Sequence, residues 1–245
     1  MGKLSYAHAD KITTLYEGNR LRQIAAGASP DKVSIIPNGI DAEYYRGIPL
    51  KPRSGGRQAV AFIGRVVSIK DVKTFIHAAR IAAGQLPEAE FLILGPTDEE
   101  PEYTEECRDL IRGLGLEGRV RLEGKVDMKD WYSKLDLVVL TSLSEAQPYV
   151  ILEAGAIGIP VVATDVGACR EMLEGRGAED RRIGPSGLLT GVAHPEETSA
   201  AVVRLLTEPE LWNTMSEAGR ARTTAYYDQN DLISRYLNLY EHMMR

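Results

Sequence analysis

TSLSEAQPYVILEAGAIGIP, residues Thr141–Pro160, lies between two strand-like runs and indicates how the chain is built. The run Leu135–Leu140 precedes it, and the run Val161–Thr164 follows it. Inside the stretch, a polar turn leads to Pro148, after which apolar residues recur at helical spacing. Proline fits the first position of a helix, because its missing N–H would have no intrahelical partner there. The stretch therefore predicts a strand, a turn, a helix with Pro148 at its first position, and a second strand.

Short apolar strands and helices alternate along most of the remaining chain as well. The strand-like runs are Lys11–Leu15, Val33–Ile36, Ala59–Gly64, Glu90–Gly95, Arg119–Gly124, Leu135–Leu140, Val161–Thr164 and Gly187–Thr190. The helical patterns are Glu17–Ala26, Val72–Gln85, Thr104–Gly113, Met128–Lys134, Tyr149–Gly158 and Glu196–Leu206, followed by two more helices in the tail 209–245. This alternation predicts an α/β fold, with a doubly wound parallel sheet and helices on both faces. The ligands of such sheets bind beyond the carboxyl ends of the strands.

Glu153 is the only charged residue between Glu145 and Asp165, and it lies on an otherwise apolar helix. An unpaired buried carboxylate is costly, so Glu153 needs hydrogen-bond donors. Backbone amides or an arginine of the protein could supply them, which would make Glu153 a structural residue. Hydroxyl groups of a ligand could also supply them. Glu145, in the turn before the same helix, favours the ligand interpretation.

Two cations follow a different predicted strand. Arg65 and Lys70 flank the turn between the strand Ala59–Gly64 and the next helix. Taken alone, they would more often be solvated surface charges. At the carboxyl edge of a parallel sheet, however, an arginine and a lysine can bind a phosphate group together. A helix N-terminus at Pro148 would add backbone donors.

The composition argues against several classes of protein. The net charge of −6 and the pI near 5.4 disfavour a nucleic-acid binder, which normally carries a basic surface. No apolar run approaches the roughly 18 residues of a membrane span. Cys107 and Cys169 are far apart, which indicates reduced thiols and a cytoplasmic location.

No motif of the sequence predicts a metal or another cofactor. The four histidines have no metal-ligand spacing, and no Asp-x-Asp pair occurs. The segment Gly113–Gly118 satisfies G-x-G-x-x-G, but it follows a predicted helix and precedes a predicted strand. A dinucleotide-binding fingerprint needs the opposite order, so this segment is interpreted as the end of a helix.

Four motifs together give the sequence a family resemblance from about Ala7 to its C-terminus. They are PNGID at Pro37–Asp41, the G-R-x4-K segment Gly64–Lys70, RVRLEGKV at Arg119–Val126, and the Glu145-x7-Glu153 pair followed by GIPVVATDVG. With these motifs the chain resembles the retaining glycosyltransferases of family four, which have the two-domain GT-B fold. Within that family it is most similar to the glycosyltransferases of Pel exopolysaccharide synthesis.

The resemblance implies a donor site for a UDP-sugar, with UDP-glucose as the expected donor and no metal. Arg65 and Lys70 would bind its diphosphate, Glu145 would contact the donor sugar, and these three would be the catalytic residues. Glu153 would accept hydrogen bonds from the ribose hydroxyls. The remaining expected donor contacts are Gly64, the backbone of Lys125 and Val126 at the uracil, and the amides of Gln147, Tyr149 and Val150.

The resemblance also implies a domain organisation. Apolar periodicity stops between Pro37 and Gly56, and the segment 1–36 is too small to bury a core alone. That segment either completes the sheet of the larger domain or is the end of a truncated domain. By the resemblance, residues 1–47 are a remnant of an acceptor-binding N-terminal domain and the crossing from it. Residues 48–245 are the donor-binding domain, with tail helices in 209–245.

From this organisation we expect the chain to bind donor without glycosyl transfer, which would need the acceptor-binding domain. A membrane-associated polysaccharide synthesis complex is an expected setting for the full enzyme. The tail tyrosines Tyr226, Tyr227, Tyr236 and Tyr240 are expected to be partly uncovered, and self-association is expected through the tail or through residues 1–36. Two alternatives stay open. A UDP-sugar 2-epimerase of the same fold would convert donor without an acceptor, and a nucleotide-sugar sensor would bind donor without turning it over.

Overall fold

Six apolar strands pair into one parallel sheet in the computed structural model, which describes residues 2–52 and 57–244. The strands in chain order are β1 Ile12–Thr14, β2 Val33–Ile35, β3 Ala59–Ile63, β4 Glu90–Leu94, β5 Val120–Gly124, β6 Leu137–Leu140, β7 Val161–Thr164 and β8 Gly187–Thr190. The large sheet has the order β5-β4-β3-β6-β7-β8, while β1 and β2 form a separate parallel pair. Every strand-like run of the sequence thus forms a strand, and the prediction of a parallel sheet is confirmed.

Helices connect these strands. They are α1 Gly2–His8, α2 Glu17–Ala25, α3 Ala42–Arg46, α4 Val72–Ala82, α5 Pro101–Gly113, α6 Lys129–Tyr132, α7 Tyr149–Ile157, α8 Cys169–Glu174, α9 Ala178–Arg181, α10 Pro195–Thr207, α11 Pro209–Tyr226 and α12 Gln229–Met243. The predicted helices and both tail helices are present. The sequence did not indicate α1, α3, α8 or α9, because none of them exceeds two turns and so short a helix shows no clear period.

Helices cover both faces of the large sheet. Along β3, Ala59 and Ala61 pack into one hydrophobic cluster, whereas Val60 and Phe62 pack into another. The first cluster includes residues of α7 and α8, and the second includes residues of α4, α5 and α10. This division follows from the period of two along a strand, which sends successive side chains to opposite faces. The fold is therefore doubly wound, as predicted.

The helix after β6 starts one residue later than its sequence suggested. Pro148 has an extended conformation, with φ −72° and ψ 121°, and is the N-cap residue, so that Tyr149 is the first helical residue. The fixed φ of proline suits both positions, and here it is ψ that keeps Pro148 outside the helix. Gly158 ends the helix at φ 94°, a left-handed conformation that glycine adopts without steric cost.

The N-terminal segment does not complete the large sheet, because β1 and β2 pair only with each other. Tyr16 and Ile40 nevertheless lie in the same hydrophobic cluster as α7. Ile40 also forms a parallel bridge with Asp228, so the segment that leads into the large sheet contacts the C-terminal tail. The Gly55-Gly56 end of the predicted boundary lies outside the described residues.

The tail differs in part from the prediction. Tyr227 is buried, because the bridge to Ile40 places it under the N-terminal segment, and its expected exposure was wrong. The later part of α12 does expose an apolar stripe, which contains Ile233, Leu237, Tyr240 and Met243. In the part of the chain that the structure describes, no helix has the length and hydrophobicity needed to cross a membrane.

The G-x-G-x-x-G segment is the end of a helix, as interpreted from the sequence. Gly113 is the last residue of α5, and β5 begins at Val120. Between them, Gly115 has a left-handed φ of 65°. The segment therefore turns the chain from helix to strand, and the dinucleotide interpretation is excluded by this order.

Candidate functional site

The strand order creates a crevice at one edge of the large sheet. From β3 the chain winds outward to β4 and β5, and it then returns to the other side of β3 to form β6. The loops after β3 and β6 therefore leave adjacent parallel strands in opposite directions, which opens a space between them at the carboxyl ends. Ligands of doubly wound sheets bind at such a point.

Several hydrogen bonds fix these two loops to each other. The backbone N–H of Leu143 donates to the carbonyl of Ile69 at 2.9 Å, and the Thr141 hydroxyl donates to the carbonyl of Asp71 at 2.9 Å. Asp71 has a left-handed backbone, with φ 46° and ψ 54°, and its carboxylate accepts from the hydroxyl of Thr74 at 2.6 Å. A non-glycine residue keeps this costly conformation only where its surroundings enforce it. The backbone that carries Lys70 is therefore held in one position.

Lys70 and Glu145 meet across the crevice. They form an ion pair between the loop after β3 and the loop after β6, and their side chains are 18% and 10% exposed. Ser142 also donates its hydroxyl to Glu145 at 2.7 Å. Limited exposure strengthens the attraction between the charges, and the pair is not completely closed off from solvent. The structure thus brings together two of the three residues expected to be catalytic.

Arg65 lies in the same loop as Lys70 but has a different partner. Its guanidinium forms an ion pair with Glu99 of the loop after β4, and both side chains are about half exposed, at 51%. In the same loop, the Glu100 carboxylate accepts from the backbone N–H of Ser68 at 2.9 Å. Arg65 and Lys70 were expected to bind phosphate together, but each is paired here with a carboxylate, because acidic side chains follow both neighbouring strands.

Glycine allows the loops after β3 and β4 to touch. A Cβ atom on Gly95 would lie 2.0 Å from the carbonyl oxygen of Gly64, which no larger residue could tolerate. The N–H of Gly64 donates to the carbonyl of Leu94 at 2.9 Å, and the N–H of Val66 donates to that of Pro96 at 2.8 Å. Gly64 therefore has a close backbone contact at the predicted position, at the end of β3.

A second glycine supports the Glu145 loop from the other side. Gly167, in the loop after β7, has φ 56°, and a Cβ atom there would lie 2.1 Å from the carbonyl oxygen of Glu145. The next residue, Ala168, donates its N–H to the carbonyl of Ala146 at 2.9 Å. The backbone on which Glu145 stands is thus packed directly against Gly167.

Glu153 receives its hydrogen bonds from two tyrosines. The hydroxyl of Tyr45 donates to Oε1 of Glu153 at 3.0 Å, and the hydroxyl of Tyr132 donates to Oε2. Burial, together with the negative charge of Glu153, raises the pKa of both tyrosines, so both remain protonated donors at neutral pH. The protein donors are therefore tyrosine hydroxyls rather than backbone amides or an arginine. The sequence did not reveal the tyrosines, because Tyr45 is 108 residues away and lies where apolar periodicity stops.

The residues around the start of α7 have different surroundings. Gln147 is buried, and its side-chain oxygen accepts from the N–H of Asn38 at 2.7 Å, which ties this loop to the N-terminal segment. Tyr149 is exposed, whereas Val150 is buried in the core. The amides of Tyr149 and Val150 belong to the first turn of α7, where helix geometry provides no acceptor. They can therefore donate to a ligand in the crevice.

Lys125 and Val126 directly follow β5, at the same edge of the sheet. Lys125 is exposed, and the half-buried Val126 packs against the hydrophobic cluster that contains α7. Since β5 is two strands from β3, these residues lie at the outer end of the row of loops. The predicted site residues therefore extend along one edge, from β5 to β6. Over residues 2–52 and 57–244, no group of three or more His, Cys, Asp or Glu side chains is placed to hold a metal ion.

Comparison with known proteins gives a family match over this part of the chain. A family model described as "Glycosyl transferases group 1" matches residues 57–208, the part that contains Arg65, Lys70, Glu145 and Glu153. A second model, for a domain of unknown function, matches residues 1–31. The chain is 28% identical over 227 residues to a D-inositol 3-phosphate glycosyltransferase of Thermobispora bispora. This alignment covers 87% of this chain and 51% of that protein. It is 29% identical over 230 residues to a protein of the same name from Paenarthrobacter aurescens, with coverage of 89% and 50%.

Solved structures share the fold. The structure of Anabaena Alr3699/HepE in complex with UDP has a TM-score of 0.85 and 23% identity, covering 98% of this chain and 65% of that one. HepE with UDP-glucose gives a TM-score of 0.83 at 22% identity, with coverage of 98% and 65%. Sucrose-phosphate synthase of Thermosynechococcus elongatus gives 0.78 at 23% identity, with coverage of 99% and 60%. The chain spans about half the length of the two curated relatives.

Proposed function

Because the chain belongs to the glycosyl transferases group 1 family, we propose that it binds the UDP-sugar donor of a retaining glycosyltransferase. The whole protein would transfer a hexose from that donor to a carbohydrate acceptor. UDP-glucose is the proposed donor, and exopolysaccharide synthesis is the proposed role. The complexes of HepE with UDP and with UDP-glucose support the choice of nucleotide and sugar, since that protein has the same fold.

The ion pair of Lys70 and Glu145 carries the proposal. It holds a cation and a carboxylate between β3 and β6, where the strand order reverses, with limited exposure to solvent. A diphosphate that enters the crevice offers Lys70 a second anionic partner. The carboxylate of Glu145 then becomes free to accept hydrogen bonds from the hydroxyls of the donor sugar. Lys70 would thus bind the phosphate side of the bond that is broken, and Glu145 would bind the sugar side.

The other residues complete the donor site. Arg65 would leave Glu99 and bind the diphosphate with its planar fork. The amides of Gln147, Tyr149 and Val150 would approach the phosphate and sugar, and Gly64 would let the backbone lie close to them. The uracil would contact the backbone of Lys125 and Val126.

During transfer, negative charge grows on the leaving diphosphate. Lys70 and Arg65 would stabilise this charge in a site that is already assembled, and this electrostatic form of catalysis needs no metal. The proposed reaction is therefore independent of divalent cations.

The domain organisation and setting are proposed together. Residues 1–47 would be the end of an acceptor-binding domain and the crossing from it, and residues 48–245 would be the donor-binding domain. The tie between Gln147 and Asn38 supports a crossing that is attached to the donor site. We further propose a cytoplasmic location and, for the whole protein, association with a membrane-bound polysaccharide synthesis complex. Neither a metal nor a nucleic acid is a proposed partner.

Calorimetric titration of the chain tests this proposal. UDP, ADP and GDP are compared first, and then the glucose, galactose and N-acetylhexosamine derivatives of the nucleotide that binds best. We expect UDP to bind more tightly than ADP or GDP, UDP-glucose to bind best among the UDP-sugars, and EDTA to change none of these affinities. Preference for ADP or GDP would contradict the assigned base, and loss of binding on chelation would contradict metal independence.

Glu153→Gln provides the matched variant. The amide is nearly isosteric but carries no charge, so UDP binding should weaken by about 1–3 kcal/mol, the scale of hydrogen bonds to a charged group. The protein should still fold, with a modestly lower melting temperature, because one of the two tyrosine hydroxyls then faces an amide NH2 that cannot accept its hydrogen bond. Unchanged affinity in a less stable protein would instead make Glu153 a structural residue.

A further inference from the structure

The carboxylate of Glu153 is held on both oxygens yet keeps part of its capacity to accept. Tyr45 donates to Oε1 and Tyr132 donates to Oε2, one hydroxyl on each side. A carboxylate has about four acceptor positions, so about two remain, one on each oxygen. Glu153 is only half buried, and it lies on α7, the helix that follows the Glu145 loop, so its side chain is not sealed from solvent.

Tyrosines hold a carboxylate differently from an arginine. An arginine would occupy both oxygens with a planar fork and cancel the charge of the carboxylate. The tyrosine hydroxyls are neutral, and burial together with the charge of Glu153 raises their pKa, so they donate without neutralising the group. The two partners therefore do not cancel the charge of the carboxylate, and hydrogen bonds to a charged acceptor are the stronger ones.

The aromatic rings fix the two donors in place. Tyr132 is 1% exposed and comes from α6, just after the loop of Lys125 and Val126. Tyr45 comes from α3, on the N-terminal side of the site. Their rings meet edge to face, with centroids 6.3 Å apart and an interplanar angle of 81°. Because the rings brace each other, the rotation of the carboxylate between them is restricted.

We infer that Tyr45 and Tyr132 are positioning residues that orient Glu153 toward two neighbouring hydroxyl groups, so that the site selects a ribonucleotide over its 2′-deoxy counterpart. A vicinal diol matches the two remaining acceptor positions, with one hydroxyl for each oxygen. If the ligand lacks one of these hydroxyls, one of the two remaining acceptor positions on Glu153 has no donor. This inference rests on the proposed function, since it assigns the diol to the ribose of UDP.

The test compares UDP with 2′-deoxy-UDP by calorimetry, in the wild-type chain and in Tyr45→Phe and Tyr132→Phe. The wild type should prefer UDP by roughly 10-fold or more, the scale for one hydrogen bond to a charged group. Each variant should lower that preference by about 3- to 10-fold, because Glu153 loses one of its two positioning contacts while its charge remains. Affinity for 2′-deoxy-UDP should fall much less than affinity for UDP. A merely structural role would weaken the binding of both nucleotides alike.

Tyr44→Phe is the matched control. Tyr44 is the neighbour of Tyr45, its ring packs edge-on against it with centroids 5.1 Å apart, and its hydroxyl interacts with Lys129. This variant should keep the wild-type preference. If Tyr132→Phe does not fold, Tyr45→Phe decides, because Tyr45 is only half buried.

The outcomes separate the two proposals. A wild-type chain that prefers UDP, with an unchanged preference in the phenylalanine variants, overturns the role of the tyrosines and leaves the proposed function intact. A wild-type chain that binds neither nucleotide contradicts the proposed function, and the inference fails with it.

Discussion

Lys70 and Arg65 differ in how strongly their present partners hold them. The pair of Lys70 with Glu145 is largely buried, whereas the pair of Arg65 with Glu99 is half exposed. An exposed ion pair contributes up to about 1 kcal/mol and is screened by salt. Breaking a buried pair from one side costs more, since the remaining charge is left without a partner. Arg65 should therefore change partners readily, while Lys70 is bound to Glu145 until a ligand replaces it.

Removal of either cation should affect the phosphate part of the ligand. We expect Arg65→Ala and Lys70→Ala each to weaken UDP binding by about 1–3 kcal/mol, because hydrogen bonds to charged groups are of this size. Binding of uridine, which has no phosphate, should change little. Titration of both ligands against each variant measures this difference, and Arg170→Ala, whose ion pairs lie on the exposed surface of α8, serves as the control. Equal losses for uridine and UDP would place these side chains away from the phosphates.

The two thiols should make the protein less stable at alkaline pH. Burial raises the pKa of Cys107 to about 11 and that of Cys169 to about 12, so both stay protonated in the folded chain. In the unfolded chain a thiol ionises near pH ~8.5. Their contribution to stability is therefore complete below about pH 8.5 and is lost as the pH rises toward 11 or 12.

Urea unfolding at pH 7.5 and pH 9.5 measures this effect. The free energy of unfolding should be lower at pH 9.5 by about 2–3 kcal/mol for the two thiols together, since the unfolded state releases protons that the folded state keeps. The double variant Cys107→Ala/Cys169→Ala should show a smaller decrease, whatever its stability at pH 7.5. A decrease of the same size in the double variant would assign the effect to other groups.

At the scale of elements, the loop after β7 determines where the Glu145 loop stands. Gly167→Ala should weaken UDP binding by roughly 10-fold or more, because its Cβ would lie 2.1 Å from the Glu145 carbonyl and the loop must move. Gly115→Ala is the matched control. Gly115 has a similar left-handed φ of 65°, and a Cβ there meets nothing within 4 Å, so it adds the backbone strain alone. Calorimetry on both variants separates the effect of the Cβ contact from that of backbone strain. Equal losses of UDP affinity would show that the contact does not matter for binding.

A buried ion pair fastens the segment between α8 and β8 to the tail. Arg222 of α11 is 1% exposed and donates to the Asp180 carboxylate at 2.7 Å, to the Leu173 carbonyl at 2.8 Å and to the Gly184 carbonyl at 2.7 Å. Replacement of one partner leaves a buried charge and several acceptors unpaired. The segment is therefore expected to depend on this one side chain.

Arg222→Met should lower the free energy of unfolding by about 3–5 kcal/mol, the scale for breaking a buried ion pair from one side. Arg204→Ala, which removes an exposed pair with Glu208 on α10, should cost less than about 1 kcal/mol. Chemical denaturation of both variants at one pH compares them. A cost below 1 kcal/mol for Arg222→Met would show that the surrounding carbonyls find other donors.

The sequence predicted elements well where one physical signal dominated. The core strands are short runs of Val, Ile, Leu and Ala between turn residues, and their positions follow from that composition. It also predicted that the loops after β3 and β6 lie at the same edge of the sheet, because strand alternation fixes which edge they reach. It did not predict the partners within that site. The contacts of Glu153 with Tyr45 and Tyr132 depend on how α3 and α6 pack on α7, and no local pattern encodes that packing.

For the whole molecule, the N-terminal segment and the tail meet the large sheet at the same place. The N–H of Ile40 donates to the carbonyl of Tyr227 at 3.0 Å, and the N–H of Gln229 donates to the carbonyl of Ile40 at 2.9 Å. Leu232 of α12 is buried directly beside Gly39, where a Cβ atom would lie 2.7 Å from its side chain. The chain thus enters and leaves the sheet side by side.

This junction has a consequence for the order in which the molecule folds. Ile40 and Asp228 are 188 residues apart in sequence, and closing a flexible loop of that length costs about 4–5 kcal/mol of chain entropy. Two backbone hydrogen bonds return only about 2 kcal/mol, and the remaining gain, the burial of Ile40 and Tyr227, requires the cluster around α7 to be formed already. The junction can therefore close only after the sheet has drawn its two ends together, which makes it late in folding and early in unfolding. In native-state hydrogen exchange, the amides of Ile40 and Gln229 should exchange well before those of β3 and β6, and slower exchange at the junction would reverse this order.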